Sequence, residues 1–175
     1  LLTAFLLTAS VATPIVGRLG DMYGKERALL VVLIILAVGT FISAIASSIE
    51  LMIVGRAIQG IAGGVFPLSF GIIRDEFPRE RVAGGMGLIS SILGIGGGLG
   101  LVLAGPITEQ LSYHWLYWLP LVAVIIAAIA THLFVPESPV KSDGHVNWLA
   151  AALLSVGLGV VLVAISQTST WGWGS

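Results

Sequence analysis

Apolar residues run through this chain in blocks too long and too uniform for a soluble core. The blocks lie at 1–16, 28–48, 52–73, 82–107, 117–135 and 147–166, with short polar stretches between them. A helix rises about 1.5 Å per residue, so some 20 residues cross the roughly 30 Å hydrocarbon layer of a bilayer. All but the first block reach about that length, and the first opens at the chain's first residue. In lipid, every backbone N–H and C=O must be paired internally, so blocks of this length predict helices. Membrane-spanning strands would be about ten residues long and would alternate polar with apolar. These blocks do not alternate. The pattern predicts an all-α polytopic membrane protein with six transmembrane helices.

Composition agrees. The chain is 57% hydrophobic and 10% charged, with a mean hydropathy of +1.03; soluble domains carry about 25% charged residues. The net charge of −1 says little, because charge in such a protein matters by side rather than by sum. Arg18, Lys25 and Arg27 lie in the stretch 17–27, Arg74, Arg79 and Arg81 in 74–81, and Lys141 in 136–146. The connections between these stretches hold no Lys or Arg. Basic residues on alternate loops place 17–27, 74–81 and 136–146 in the cytoplasm. Tyr113, Trp115, Tyr117 and Trp118, and again Trp171 and Trp173, then fall at outer interfaces, where amphipathic rings are favoured. The chain holds no Cys, which excludes disulfides, thiolate catalysis and Cys-based zinc sites. His114, His132 and His145 have no second ligand at a metal-binding spacing and read as interfacial polar residues. No Ser–His–acid or paired-His set points to an enzyme. The chain opens at Leu1 without an initiator Met or a charged leader and stops at Ser175 in a loop, so it reads as a fragment.

Arg56 is the one basic residue inside an apolar block. A charge in hydrocarbon costs about 2.5–3.5 kcal/mol on the mildest scale, so such a residue faces the bundle interior or a water-filled path. At 3.6 residues per turn, Arg56, Gln59, Gly60, Gly63, Gly64 and Pro67 fall broadly on one small, polar side. The alternative is an arginine near the outer helix end that snorkels to the interface. In the stretch 17–27, Gly17, Gly20 and Gly24 suit tight turns, while Asp21 either pairs with a nearby cation or caps a helix N-terminus. Block 82–107 carries Gly94, Gly96, Gly98, Gly100 and Gly105, with four-residue spacings that let helix backbones touch. Static packing and a helix that bends between two states both fit this pattern. The run from Gly94 to Gly100 is no nucleotide fingerprint, because no strand precedes it.

These residues resemble the major facilitator superfamily. The run Gly17-Arg18-Leu19-Gly20-Asp21-Met22-Tyr23-Gly24-Lys25-Glu26-Arg27 is similar to the family's Gly-x-Leu-Ala-Asp-x-x-Gly-(Arg/Lys)-(Arg/Lys) between helices two and three. Arg56-x-x-Gln59-Gly60 is similar to the fourth-helix motif of proton-coupled exporters. The fifth-helix antiporter pattern Gly-x-x-x-Gly-Pro-x-x-Gly-Gly is met at Gly96 and Gly100. Leu101 stands in place of the Pro, Ala104-Gly105 in place of the Gly pair, and Pro106 just beyond. The short loop 136–146 and the ending Thr170-Trp171-Gly172-Trp173-Gly174 resemble the fourteen-helix drug:proton antiporter branch.

The resemblance implies helices two to six over 1–135, a bundle lacking its first helix. A short cytoplasmic loop follows at 136–146, then the seventh helix and the start of an extracytoplasmic loop over 147–175. It implies export of small amphipathic compounds or drugs, driven by protons through alternating access in the cell membrane. Gly17, Asp21, Gly24, Lys25, Arg27 and Asp75 would form the cytoplasmic gate. Arg56 and Gln59 would serve proton coupling or substrate contact. Gly60, Gly64, Gly96, Gly100, Gly105 and Pro106 would serve helix packing or hinging. The partners implied are a small-molecule substrate, protons, the lipid bilayer and the rest of the same transporter chain, with no cofactor, metal or nucleic acid. The alternatives are a proton-coupled transporter of a dedicated metabolite and a non-transporting sensor or scaffold on the same fold.

Overall fold

The computed structural model describes residues 2–110 and 112–137, with a few helical positions between 153 and 161. The block at 147–166, the loop from 138 to 146, Lys141, His145, Trp171 and Trp173 therefore lie largely or wholly outside the described residues. The helices are α1 (Leu2–Tyr23), α2 (Lys25–Ala44), α3 (Ile49–Gly60), α4 (Val65–Glu76), α5 (Arg79–Gln110) and α6 (Trp115–Phe134). A 3₁₀ turn, Ile61–Gly64, joins α3 to α4, and Ile49–Glu76 forms one continuous span of 28 residues. The 3₁₀ segment ends on the adjacent pair Gly63-Gly64, and the Val65 N–H bonds back three residues to the Ala62 carbonyl. Five spans are long and apolar enough to cross a membrane, one for each expected block among the described residues.

The helices overrun the apolar blocks. Stretch 17–27, expected as a loop, is helical as far as Tyr23, and Lys25 already begins α2. Gly24 alone makes the reversal, at φ 114°, ψ 133°, a conformation closed to side-chain-bearing residues. Gly17 and Gly20 are helical instead, so only one of the three glycines expected at turns makes one. The stretch 74–81 likewise shrinks to Phe77 and Pro78, with Phe77 extended ahead of the proline. Charge ends an apolar block without ending a helix, because a helix satisfies its own backbone in water as well as in lipid.

α2 is the centre of the bundle and packs on α1, α3, α4 and α6. Ala12 and Val16 from α1, Leu29, Val32 and Leu33 from α2, and Leu68 from α4 form the buried cluster, with Val124 and Ala128 of α6 against it. The α2–α3 contact is a backbone contact. A Cβ on Gly39 would lie 2.8 Å from the Gln59 nitrogen, and one on Gly55 would lie 2.4 Å from Ser43 Oγ. Two glycines facing each other let the helices approach to the point where polar side chains meet across the seam. Ser48 caps α3 by accepting from the Leu51 N–H at 3.2 Å. At the same end Tyr113 Oη donates to the Ala46 carbonyl at 2.9 Å.

α5 stands apart. Among the described elements it touches only its chain neighbours α4 and α6. Leu88, Ile92, Ile95 and Leu99 are all more than half exposed, and Leu101 reaches 83%. Gly96, Gly100 and Gly105 have nothing within 4 Å of where a Cβ would be. The close packing expected of these glycines is absent among the described residues. The helix runs through Pro106 to Gln110. So apolar a face requires lipid or more protein to cover it.

Candidate functional site

Arg56 sits seven residues into α3, about 10 Å along the helix from its start. It does not snorkel freely. Its Nη1 donates to Gln59 Oε1 at 3.3 Å, one turn on, and its Nη2 donates to Tyr117 Oη on α6 at 3.1 Å. The Arg56 Cζ lies 5.1 Å from the centre of the Tyr117 ring, within cation–π range. Gln59 is 5% exposed, and its amide nitrogen donates to Thr40 Oγ1 at 3.2 Å and to Ser43 Oγ at 3.5 Å on α2. A buried amide without partners would be costly. Here its oxygen takes the guanidinium and its nitrogen takes two hydroxyls, so its orientation is set. A polar chain thus runs Tyr117–Arg56–Gln59–Thr40/Ser43 across three helices. The Arg56 Nε is buried and makes no hydrogen bond, leaving one donor of a fixed cation open.

The small side expected on the third block is divided between two neighbours. Gly60, Gly63 and Gly64 press on α1, where added Cβ atoms would meet the Phe5 carbonyl, Thr13 Oγ1 and Val16 at 2.3–2.6 Å. Gln59 turns to α2 instead. Gly60 and Gly64 lie against α1, while Arg56 and Gln59 occupy the seam toward α2 and α6.

The second cluster joins the opposite ends of α1, α2 and α4. Lys25 Nζ lies 2.6 Å from Asp75 Oδ2 and 3.2 Å from Asp21 Oδ1. Lys25 is 3% exposed, and the Asp75 side chain is 6% exposed. Arg74 Nε lies 3.8 Å from Asp75 Oδ1. Each of the three central charges opposes its own helix dipole: Asp21 and Asp75 sit in last turns, Lys25 at a first position. Local helix preference does not explain them; their mutual pairing does. Asp21 pairs with a cation rather than capping a helix. The Lys25 stem runs over Gly71, where a Cβ would sit 2.7 Å from Lys25 Cε.

Arg27 is not part of this cluster. It is exposed, and its Nε lies 3.2 Å from Glu137 Oε2, just past α6. Both Glu137 oxygens are buried without a hydrogen bond, the Arg27 contact being an ion pair only. The carboxylate rests on Gly24, where a Cβ would lie 2.1 Å from Oε1. Gly17 meets Pro67 of α4, 3.6 Å from a Cβ position. Of the residues expected at a gate, Asp21, Lys25 and Asp75 are brought together, Gly24 makes the turn between them, and Arg27 points to a separate partner.

Sequence reasoning missed Tyr117, Thr40, Ser43 and Glu137. By sequence Tyr117 reads as part of an aromatic belt, and nothing in its spacing distinguishes it from Trp118. Thr40 and Ser43 carry a signal, since with Gly39 they form a small-polar patch inside an apolar block. His132 Nδ1 lies 3.9 Å from Glu26 Oε1. No group of three or more metal-ligating side chains occurs among the described residues.

A sequence profile of the Major Facilitator Superfamily matches residues 1–171. The chain is 30% identical over 174 residues to multidrug resistance protein 3 of Bacillus subtilis, covering 98% of this chain and 34% of that protein. It is 28% identical over 176 residues to lincomycin resistance protein LmrB of Listeria monocytogenes, covering 100% of this chain and 37% of that protein. The chain therefore spans about a third of the length of these curated relatives. Its fold superimposes on the human organic anion transporter MFSD10 (TETRAN) with a TM-score of 0.71 at 22% identity, over 93% of this chain and 39% of that one.

Proposed function

This chain belongs to the major facilitator superfamily and is part of a multi-pass membrane protein, and we propose that it supplies helices two to seven of a proton-coupled exporter of small amphipathic compounds. Residues 1–135 are the amino-terminal bundle without its first helix, 136–146 a cytoplasmic loop, and 147–175 the seventh helix with the start of an outer loop. The observation that carries the reading is Arg56, a cation inside the apolar span Ile49–Glu76, fixed by Gln59 and Tyr117 with its Nε left over. A guanidinium stays charged throughout, so it does not itself carry the proton. It attracts a carboxylate or an electron-rich substrate group and disfavours a second cation beside it. An acidic side chain of the missing first helix, protonated in one half-cycle and paired with Arg56 in the other, would link proton entry to substrate release. Relatives named for multidrug and lincomycin resistance support export as the direction.

The cytoplasmic gate is assigned to Asp21, Lys25 and Asp75, with Gly24 as the pivot between α1 and α2. Arg27 and Gly17 serve the same end of the bundle, one through Glu137 and the other against Pro67. Gly96, Gly100, Gly105 and Pro106 are assigned to packing against the rest of the transporter, because α5 is open along that face.

The test is uptake of several unrelated dyes into everted vesicles bearing the full-length protein, the direction that corresponds to export from the cell. Wild type should export more than one, and Arg56→Ala should export none. Export of no dye by wild type would point instead to a dedicated metabolite, and absence of proton-dependent flux for any compound to a sensor or scaffold.

A further inference from the structure

Arg56 has two anchors, and only one of them is rigid. Gln59 stands one turn away on the same helix and is itself tied to Thr40 and Ser43. Tyr117 comes from α6, 61 residues along the chain. Among the described residues it is the only side chain from another helix that bonds the guanidinium. It meets the cation in two ways, as an acceptor for Nη2 at 3.1 Å and through its ring at 5.1 Å from Cζ. A guanidinium is a planar fork, so holding Nη1 and Nη2 at separate partners fixes its plane and the direction of Nε. The next tyrosine along is a useful contrast. Tyr113 spends its hydroxyl on a backbone carbonyl at the helix ends, which is a tie between links and touches no charge.

We infer that Tyr117 is the positioning residue of the Arg56 site: it aims the guanidinium and makes that aim depend on where α6 stands relative to α3. The inference rests on the exporter reading above. A shift of α6 relative to α3 lengthens the Oη–Nη2 bond and releases the cation from its fixed plane, while Gln59 keeps hold of Nη1. Tyr117 would therefore report helix movement to the coupling cation without touching the proton or the substrate.

The test uses the full-length transporter in proteoliposomes with ethidium as the probe. Tyr117→Phe keeps the ring face and loses the acceptor, Tyr117→Leu loses both, and Tyr113→Phe is the control. Loss of a hydrogen bond to a charged group predicts about a tenfold slower proton-driven efflux in Tyr117→Phe. Its pH profile should be displaced, Tyr117→Leu should be slower still, and Tyr113→Phe should keep the wild-type profile. A substrate-free readout accompanies it: in an Arg56→Gln background, Tyr117→Phe should cause no further fall in melting temperature, the two effects being non-additive. Additive melting effects overturn the inference, and so does a Tyr117→Phe pH profile that superimposes on wild type. If Arg56→Ala loses efflux while Tyr117→Phe keeps it, this inference alone fails. If Arg56→Ala exports like wild type, the coupling reading fails first.

Discussion

At the scale of the residue, charges drawn in among the helices mark the two candidate regions, and around Lys25 the pairing outweighs local preference. Lys25 is nearly enclosed and sits at the wrong end of its helix dipole. Removing one partner of a buried ion pair strands the other, at a cost of about 3–5 kcal/mol. Lys25→Met should therefore lower the melting temperature of the full-length protein strongly. Adding Asp75→Asn should restore part of the loss, because it removes the carboxylate that has lost its shortest cation contact; no recovery in the double variant would refute the pairing account. Gly24→Ala forces a side chain into a backbone region costing about 1–3 kcal/mol and into the Glu137 carboxylate. It should destabilise the α1–α2 turn even with Glu137→Ala beside it, since relieving the clash leaves the strained φ. A double variant as stable as wild type would show that contact, not conformation, requires the glycine. Arg56 was legible from sequence because a lone cation in an apolar block is conspicuous. Tyr117 was not, because an aromatic at a helix end satisfies interfacial preference equally well whether it faces lipid or a guanidinium.

At the scale of the element, block length gave the spans and loop charge gave their order, while helix ends escaped. Hydropathy reports where lipid stops, and the helices α1, α4 and α5 continue past that point. The interruption of the third span at Ile61–Gly64 was likewise hidden, since two adjacent glycines in an apolar run are compatible with unbroken helix. The glycines of α3 and α5 look alike in sequence and differ in the fold. Gly55 holds α3 against α2, whereas Gly100 faces open space. Gly55→Leu should prevent the Gln59–Thr40 contact and reduce folded yield of the protein. Gly100→Leu should leave the described helices folded but impair efflux if this face packs on the rest of the transporter. Circular dichroism and size-exclusion profiles beside dye export separate the two, and a fully active Gly100→Leu variant would remove the packing assignment of α5.

At the scale of the whole molecule, the chain is about a third of its curated relatives, and its exposed apolar faces mark where membrane and further protein belong. Basic stretches on alternate connections predict Pro78 on the cytoplasmic side and Ser112 on the outer side. Single cysteines at those positions should react with a membrane-impermeant maleimide from opposite sides of the membrane, and labelling of both from one side would reverse or break the topology. The central matter is whether the Arg56 site joins proton movement to cargo movement. The direct measurement is proton flux in proteoliposomes loaded with a pH-sensitive dye, recorded as an exported compound is added without an imposed gradient. Wild type should move protons on addition, Arg56→Lys should retain part of the signal, and Arg56→Ala should lose it. Proton movement that persists undiminished in Arg56→Ala would contradict the account.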